Sequence, residues 1–316
     1  MARRRLSQHQ KKRIDDAQQA LTSAKDSHQQ GLVISHHGGK IIVEQEDSSL
    51  ATCAVKSNLG AIVCGDQVIF EKTAENEFRV LAVKARDNLL QRLDGFGHVK
   101  SVAANITQLL ICLAVKPEPN LFLLDQYLLS AEQQRIEPVI VLNKIELLDS
   151  TEDPYDLDSV YAHIGYKVIK ISVKERLDLD QLKSVLDHNT TVLSGVSGVG
   201  KSSITSELLP DTYIKIAEIS SANEEGRHTT RTSRLYHLPN NGQLIDTPGV
   251  RGFNPLLDPT QPVSAGFREI DQHSADCRFA NCKHINEPKC AVIDAVKNKQ
   301  IADSRYQHYL RMVSPD

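Results

Sequence analysis

Short apolar, β-branched runs follow one another closely in the first third of the chain. Five such runs lie between residues 32 and 84, separated by turn-forming segments such as His37-Gly38-Gly39 and Asn58-Leu59-Gly60. They cover residues 32–35, 40–43, 50–55, 67–71 and 78–84. Five short strands at this spacing predict a small closed barrel of the oligonucleotide-binding (OB) type. Because Phe70 and Phe78 are the only aromatic residues in this stretch, we expect the barrel to contact backbone or protein rather than to stack bases.

From about residue 99 the pattern changes to apolar strand-like runs that alternate with helical segments. The strand-like runs cover residues 108–115, 138–142, 167–171, 191–194 and 243–245. Between the first two runs, residues 120–135 carry Leu121, Leu124, Leu128 and Ala131 at helical spacing, and residues 177–186 repeat this pattern. Alternating strands and helices predict an α/β domain with a mostly parallel sheet that helices cover on both faces.

These patterns divide the chain into four predicted regions. Residues 1–30 form a polar and basic arm, 31–98 the barrel, 99–260 the α/β domain, and 261–316 a small helical module that carries three cysteines. Pro255, Pro259 and Pro262 mark a linker before the last region.

A phosphate-binding loop is predicted inside the α/β domain. Gly195-Val-Ser-Gly-Val-Gly-Lys-Ser202 matches G-x-x-x-x-G-K-[ST] in full, with a strand-like run before it and a helical segment after it. In such loops the backbone N–H groups cradle the phosphates, the lysine adds a positive charge, and the serine hydroxyl binds Mg²⁺. The predicted phosphate-site residues are Gly195, Val196, Ser197, Gly198, Val199, Gly200, Lys201, Ser202 and Ser203.

Two further elements are predicted to complete the magnesium and γ-phosphate site. Asp246 and Gly249, in Asp246-Thr-Pro-Gly249, follow a strand-like run and suit Mg²⁺ binding through water and a contact to the γ-phosphate. Thr229 or Thr230, in the polar stretch Gly226-Arg-His-Thr-Thr-Arg231, supplies another Mg²⁺ ligand, and composition does not choose between the two.

The position that holds a water-orienting glutamine in many GTPases is Val250 here, which predicts slow intrinsic turnover that a partner stimulates. His228 is the candidate for positioning the attacking water, and the alternative is that it only packs against or caps its loop.

Two loops after strand-like runs are predicted to bind the base. The residues are Asn143, Lys144, Ile145 and Glu146, together with Ser172, Val173 and Lys174. A carboxylate at the fourth position accepts hydrogen bonds from the N1–H and exocyclic amine of guanine, whereas N1 of adenine presents a lone pair that it repels. The usual residue there is aspartate, so Glu146 is one methylene longer and has to retract or tilt.

A metal site is predicted near the end of the chain. Cys277, Cys282, His284 and Cys290 place three thiols and one imidazole within fourteen residues. This ligand set suits one tetrahedral, structural Zn²⁺. The remaining cysteines lie in strand-like runs and are expected to be buried thiols, which agrees with a reducing compartment.

Charge is distributed unevenly along the chain. Residues 1–13 carry six basic residues and no acid, whereas the net charge of the whole chain is −3. A basic arm on an acidic body indicates a polyanionic partner, although a solvated tail is the alternative. No apolar run is long enough to span a bilayer and no secretory signal is evident, so we expect a cytoplasmic monomer without membrane contact.

The order of the nucleotide motifs is unusual, because the base loops at 143 and 172 precede the phosphate loop at 195 and Asp246. Circular permutation of a GTPase preserves the strand neighbours and gives this order. With the basic arm, the barrel and the terminal zinc pattern, the whole chain resembles the RsgA (YjeQ) family of circularly permuted GTPases, and Gly226-Arg-His-Thr-Thr is similar to that family's switch segment.

The resemblance implies a GTPase that assists late maturation of the bacterial small (30S) ribosomal subunit and contacts its rRNA. Two other classes remain at this stage. One is a phosphate-loop ATPase or small-molecule kinase, which the Asn143–Glu146 loop disfavours. The other is an RNA-binding scaffold that binds GTP but hydrolyses little of it.

Overall fold

The computed structural model describes residues 28–37, 39–75, 77–149, 153–209, 233–246 and 254–314. Its first part is a closed five-stranded barrel with strands β1 (Gln29–His37), β2 (Lys40–Gln45), β3 (Leu50–Ala54), β4 (Gln67–Ala74) and β5 (Glu77–Val83). The strand order is β1-β2-β3-β5-β4, and β4 pairs back to β1. The predicted OB-type barrel is therefore confirmed, and Phe70 lies in its core while Phe78 packs against that core.

The nucleotide domain contains a six-stranded sheet. Its strands are β8 (Gln108–Ala114), β9 (Glu137–Asn143), β10 (Lys167–Lys170), β11 (Thr190–Ser194), β12 (Arg234–His237) and β13 (Gln243–Asp246). They follow the order β10-β9-β8-β11-β13-β12, and only β12 runs antiparallel to its neighbour. Strand β8 is buried along its whole length, as expected for a central parallel strand that is covered on both faces.

Among the described residues, three α-helices accompany this sheet and meet the sequence prediction, and a π-helical turn (Leu157–Ala162) precedes β10. The α-helices are α1 (Leu121–Gln133), α2 (Leu179–Leu186) and α3 (Lys201–Leu208). The Asn120 side chain caps α1 by accepting a hydrogen bond from the Leu123 N–H. The phosphate loop between β11 and α3 thus follows the strands that carry the base loops, which confirms the permuted order.

A second, three-stranded sheet lies between barrel and nucleotide domain and was not anticipated. It contains β6 (Leu89–Leu93), β7 (Val99–Ala104) and β14 (Asn254–Pro255), in the order β14-β6-β7. The expected boundary at residue 98 falls in the turn of the β6–β7 hairpin. These strands lacked a clear sequence signal because the polar pairs Gln91-Arg92 and Lys100-Ser101 interrupt their apolar runs, and Asp94-Gly95-Phe96-Gly97 has the composition of a loop.

The barrel and the six-stranded sheet are joined by backbone pairing and by an apolar contact. Ser35 of β1 pairs with Arg234 of β12, and the Ser35 hydroxyl donates to the Ser233 carbonyl at 3.4 Å. Ile34 of the barrel belongs to the same apolar cluster as Leu235 and Ile245 of the sheet. The barrel is thus continuous with the nucleotide domain rather than tethered to it.

A bidentate ion pair fastens the connection between barrel and second sheet. The Arg86 guanidinium lies 2.6 and 2.8 Å from the two carboxylate oxygens of the buried Asp66, which also accepts the Val63 N–H at 2.8 Å. Paired geometry of this kind compensates for the cost of burying the carboxylate.

The C-terminal module is helical, as predicted, with α4 (Arg268–Ser274), α5 (Ala291–Lys297) and α6 (Asp303–Val313). Arg305 of α6 is fully buried where the module meets α1. Its guanidinium donates to both carboxylate oxygens of Glu269, at 2.7 and 3.1 Å, and to the carboxylate of Asp125 of α1 at 2.6 Å. The Phe267 ring lies 4.3 Å from the guanidinium carbon. Although burial opposes the charged form, the two carboxylates raise the pKa of Arg305 above its ordinary value.

Among the described helices, none combines the length and the apolar character that crossing a bilayer requires.

Candidate functional site

The phosphate loop leaves β11 at Ser194 and enters α3 at Lys201. Its three glycines all have positive φ, at 134° for Gly195, 89° for Gly198 and 97° for Gly200. A Cβ on Gly195 would lie 2.2 Å from the Cys112 carbonyl oxygen, so only glycine fits there. The sequence pattern thus reflects a backbone that curls tightly around a small volume at the start of a helix.

Lys201 lies in the mouth of this loop. Its amine donates hydrogen bonds to the Gly195 carbonyl at 2.6 Å and the Val196 carbonyl at 2.8 Å. Ser202 and Ser203, the next two residues of α3, are exposed. A positive charge and two accessible hydroxyls therefore lie beside the N–H groups of the helix terminus, which suits an anionic phosphate chain and its cation.

The first base loop is fastened directly to the phosphate loop. The buried Asn143 amide donates to the Val199 carbonyl at 2.9 Å and accepts from the Val173 N–H at 3.3 Å. The Lys144 amine donates to the Gly198 carbonyl at 2.6 Å and to the Lys116 carbonyl at 2.7 Å. Residues 28 to 56 positions apart in sequence are thereby brought to one place.

Glu146 lies in a short 3-10 turn (Ile145–Leu147) directly after these residues. Its Oε2 atom is buried, and within the described residues it has no hydrogen-bond partner. A buried carboxylate oxygen requires donors. The N1–H and exocyclic amine of guanine are donors of the right kind, so the longer glutamate is compatible with the predicted base site.

The second base loop borders the same region. Ser172 is buried and its hydroxyl accepts the Glu175 N–H at 3.0 Å, which shapes the turn, whereas Lys174 is exposed and pairs with Glu175. A cavity of about 450 Å³ is lined by Val173 of this loop and by Ser202, Ser203, Ser206 and Glu207 of α3. The open space thus extends from the second base loop to the first two turns of α3.

Asp246 is the last residue of β13, which runs parallel to β11 with Ile245 beside Val192. Carboxyl ends of parallel strands share one edge of a sheet, so Asp246 and the phosphate loop lie at the same edge. Gly226, His228, Thr229 and Thr230 fall in residues 210–232, and Gly249 and Val250 in 247–253, all outside the described residues. Their roles stay predictions, as does that of the arm at 1–27.

The cysteines and histidine of the C-terminal module form one cluster. The ligand atoms of Cys277, Cys282, His284 and Cys290 all lie within 4.8 Å of one another. Within it, Cys277 Sγ and Cys290 Sγ are 3.8 Å apart, and His284 Nδ1 lies 3.5 and 3.4 Å from them. Residues scattered over fourteen positions thus present four ligand atoms around one point, where they can hold a metal ion.

The loop that carries this cluster is supported by groups that the sequence analysis missed. Glu287 accepts N–H groups of Lys283, Ile285 and Asn286, and these hydrogen bonds lower its pKa to about 2. Tyr306 of α6 donates to the His284 carbonyl at 2.7 Å. Spacing alone gives no signal for such supporting residues, because they act through the backbone of the loop.

Substitution of Gly200 tests the contact between the two loops. A Cβ at this position would lie 2.4 Å from Asn143 Nδ2, at a φ that L-residues rarely adopt. We expect Gly200→Ala to weaken GTP and GDP binding by about tenfold, corresponding to the 1–3 kcal/mol of a strained backbone position. Fluorescent-GDP titration measures this, with Gly60→Ala, in open space at a similar φ, as control. Unchanged affinity would contradict the interlocked geometry.

The comparisons with known proteins agree with this arrangement. The model of the RsgA GTPase family matches residues 83–255. Over 99% of this chain and 97% of its own length, a protein of Saccharophagus degradans named small ribosomal subunit biogenesis GTPase RsgA is 40% identical. A protein of the same name from Hahella chejuensis is 37% identical over 99% of this chain and 96% of its own.

Two solved structures share the fold. The crystal structure of YjeQ from Thermotoga maritima superposes with a TM-score of 0.71 and 29% identity, covering 90% of this chain and 97% of that one. The crystal structure of YloQ, described as a circularly permuted GTPase, gives a TM-score of 0.67 and 26% identity over 92% and 95% of the two chains.

Proposed function

Because this chain belongs to the RsgA GTPase family and is therefore a GTP-hydrolysing enzyme, we propose that it assists late maturation of the small (30S) ribosomal subunit, with slow intrinsic turnover that the subunit stimulates. The observation that carries the nucleotide part is the hydrogen bonding of Asn143 and Lys144 to the Val199 and Gly198 carbonyls. Base loop and phosphate loop, in reversed sequence order, meet as a single GTP site requires.

Separate groups of the site residues bind the phosphates, the base and the magnesium ion of GTP. Lys201 and the loop N–H groups bind the β- and γ-phosphates, and Glu146 accepts hydrogen bonds from guanine. Ser202, Asp246 through water, and Thr229 or Thr230 would hold Mg²⁺, which when bound neutralises charge on the phosphates. His228 is proposed to position the attacking water, since Val250 has no group that can do so.

We propose that the ion in the C-terminal cluster is a single structural Zn²⁺. Tetrahedral zinc with Zn–S near 2.3 Å places sulfur atoms about 3.8 Å apart and a sulfur and a nitrogen about 3.5 Å apart. The separations of 3.8, 3.5 and 3.4 Å in the cluster agree with this geometry. Four protein ligands leave no open position, so the proposed role is to stabilise the module.

The proposed partner is the small ribosomal subunit with its rRNA, because the relatives that match this chain over nearly its whole length are named small ribosomal subunit biogenesis GTPases. The basic segment of residues 1–13 supports an RNA contact, since basic residues bind phosphates by releasing counterions. We propose that the protein acts as a monomer in the cytoplasm, where ribosomal subunits are assembled.

Phosphate release from GTP, with and without purified small subunits, tests this proposal. We expect slow turnover of the protein alone and an increase of at least tenfold with subunits, whereas large subunits serve as the control. Tight GTP binding without hydrolysis in the presence of small subunits would instead favour the RNA-binding scaffold. Equal competition by ATP would favour a phosphate-loop ATPase or kinase.

Glu146 is expected to determine the preference for guanine. Glu146→Ala removes two charge-assisted hydrogen bonds to the base, and we expect GTP affinity to fall about tenfold to a hundredfold while ATP affinity stays unchanged. Competition of GTP and ATP against fluorescent GDP measures both, with Glu75→Ala, an exposed carboxylate of the barrel, as control. If Glu146→Ala kept full selectivity, another group would have to read the base.

A further inference from the structure

Strand β12 places an arginine next to Asp246. Arg234 is the first residue of β12, and it lies directly opposite Asp246, the last residue of β13. Directly opposed residues of antiparallel strands point to the same face of the sheet, with their Cβ atoms about 5 Å apart. Arg234 therefore shares with Asp246 both a face of the sheet and the edge that carries the phosphate loop.

The guanidinium of Arg234 is half-buried and lies over an aromatic ring. Its central carbon is 5.4 Å from the centroid of the Tyr236 ring, two residues along the same strand. Burial raises the pKa of Tyr236 most, while the charge of Arg234 lowers it and the charge of Asp246 raises it, so both charges lie near this phenol. Across the described part of the chain the guanidinium has no ion-pair partner, which leaves its N–H groups for an acceptor at this edge.

The backbone of β12 is held in place by the barrel. Arg234 lies opposite Ser35 of β1 on the side away from Asp246, so the three residues form one row across three strands. At the other end of β12, His237 Nε2 lies 2.8 Å from Glu44 Oε2 of β2. A side chain on a strand that is fixed on both sides is positioned more precisely than one on a loop.

This placement favours Asp246 over the phosphates as the acceptor for Arg234. Strand β13 lies between β12 and β11, so the strand that leads into the phosphate loop is two strand spacings, about 10 Å, from Arg234. Asp246 is one spacing away. Carboxylates at metal sites are themselves hydrogen-bonded by neighbouring groups, which fix their orientation toward the ion.

We propose that Arg234 is a positioning residue for Asp246. In the loaded site its guanidinium donates to the carboxylate oxygen that faces away from Mg²⁺, and this fixes the oxygen that holds the ion through water. The inference rests on the proposed function, because it concerns the magnesium side of the proposed GTP site. It also gives the barrel a part in that site, since β1 fixes the strand that carries Arg234.

The Mg²⁺ dependence of fluorescent-GDP release, measured without subunits, provides the test. We expect Arg234→Met to raise the Mg²⁺ concentration that half-maximally slows release by about tenfold or more. Release in excess EDTA should equal that of the wild type, because Arg234 acts only on the ion. Arg79→Met is the matched control, since Arg79 lies directly opposite Glu71 in the barrel and pairs with it. Wild-type Mg²⁺ dependence in Arg234→Met would overturn the proposal.

Two further variants show whether Arg234 acts through Asp246. Arg234→Met combined with Asp246→Asn should have the Mg²⁺ dependence of Asp246→Asn alone, whereas additive effects would overturn the proposal. Arg234→Lys keeps the charge but loses the planar fork, so we expect an intermediate Mg²⁺ dependence, and this variant keeps the test valid if Arg234→Met fails to fold.

Two other outcomes separate this role from its alternatives. Faster release by Arg234→Met in excess EDTA would show a contact with the nucleotide itself and would also overturn the positioning role. Lack of stimulation by small subunits would defeat the proposed function alone, because the release measurement contains no subunits.

Discussion

Replacement of Lys201 by alanine is expected to reduce kcat/KM for GTP hydrolysis by about a hundredfold to a thousandfold, as loss of a preorganised charge at a developing negative charge does. The amine lies in the mouth of the phosphate loop, 2.6 and 2.8 Å from two loop carbonyls. Without the amine, we expect the developing negative charge of the phosphoryl group to lose the positive charge that Lys201 supplies. Steady-state phosphate release with small subunits present measures the loss.

Lys297→Ala serves as the control for this substitution, since Lys297 is an exposed lysine of α5 and pairs only with Asp294 within the described residues. Lys201→Arg is expected to lower kcat/KM almost as much as Lys201→Ala. A planar guanidinium does not fit the space that an ammonium fills between the two carbonyls. Hydrolysis by Lys201→Ala within threefold of the wild type would show that the loop does not bind the reacting phosphate.

Replacement of Arg305 by methionine is expected to lower the free energy of unfolding of the C-terminal module by about 3–5 kcal/mol. The substitution keeps much of the apolar stem but leaves Asp125 and Glu269 buried without their common cation. His308 also contacts Asp125, at 2.5 Å, and cannot replace a guanidinium that binds two carboxylates. Urea unfolding, followed by hydrogen exchange of α6, measures the change.

Arg268→Met is the matched control for Arg305. Its guanidinium pairs with Glu132 at 2.7 Å and donates to the Gly165 carbonyl at 2.8 Å, but the side chain is 30% exposed, so water replaces part of the lost contacts and we expect about 1–2 kcal/mol. Adding Asp125→Asn and Glu269→Gln to Arg305→Met should recover part of the loss, because both carboxylates are then neutral. Equal destabilisation by the two arginine substitutions would contradict a special role for Arg305.

The parts of the fold that the sequence predicted are those with local signals. Strand β8 is a continuous apolar run, and the phosphate loop has glycines at the positions where φ is positive. The metal cluster was predicted because its ligands lie within fourteen residues. In each case the physical requirement falls on neighbouring residues, so the pattern can be recognised without knowledge of the rest of the chain.

The parts that the sequence did not predict depend on residues far apart. Arg305 is 180 residues from Asp125, and neither residue type suggests burial unless the other is known to be there. The bond from Lys144 to the Gly198 carbonyl likewise spans 54 residues. The sequence predicted that both loops serve one nucleotide, but it did not predict which backbone atoms join them.

The pairing of β1 with β12 has a consequence for any attempt to separate the two lobes. Ile34 and Cys64 belong to the same apolar cluster as Leu235 and Ile245, so a shortened chain beginning after Val83 would lose part of the packing of that cluster. It would also leave one edge of the six-stranded sheet without the partner that now covers it, and such edges invite self-association. Removal of the barrel would therefore yield an aggregation-prone fragment rather than a smaller active enzyme.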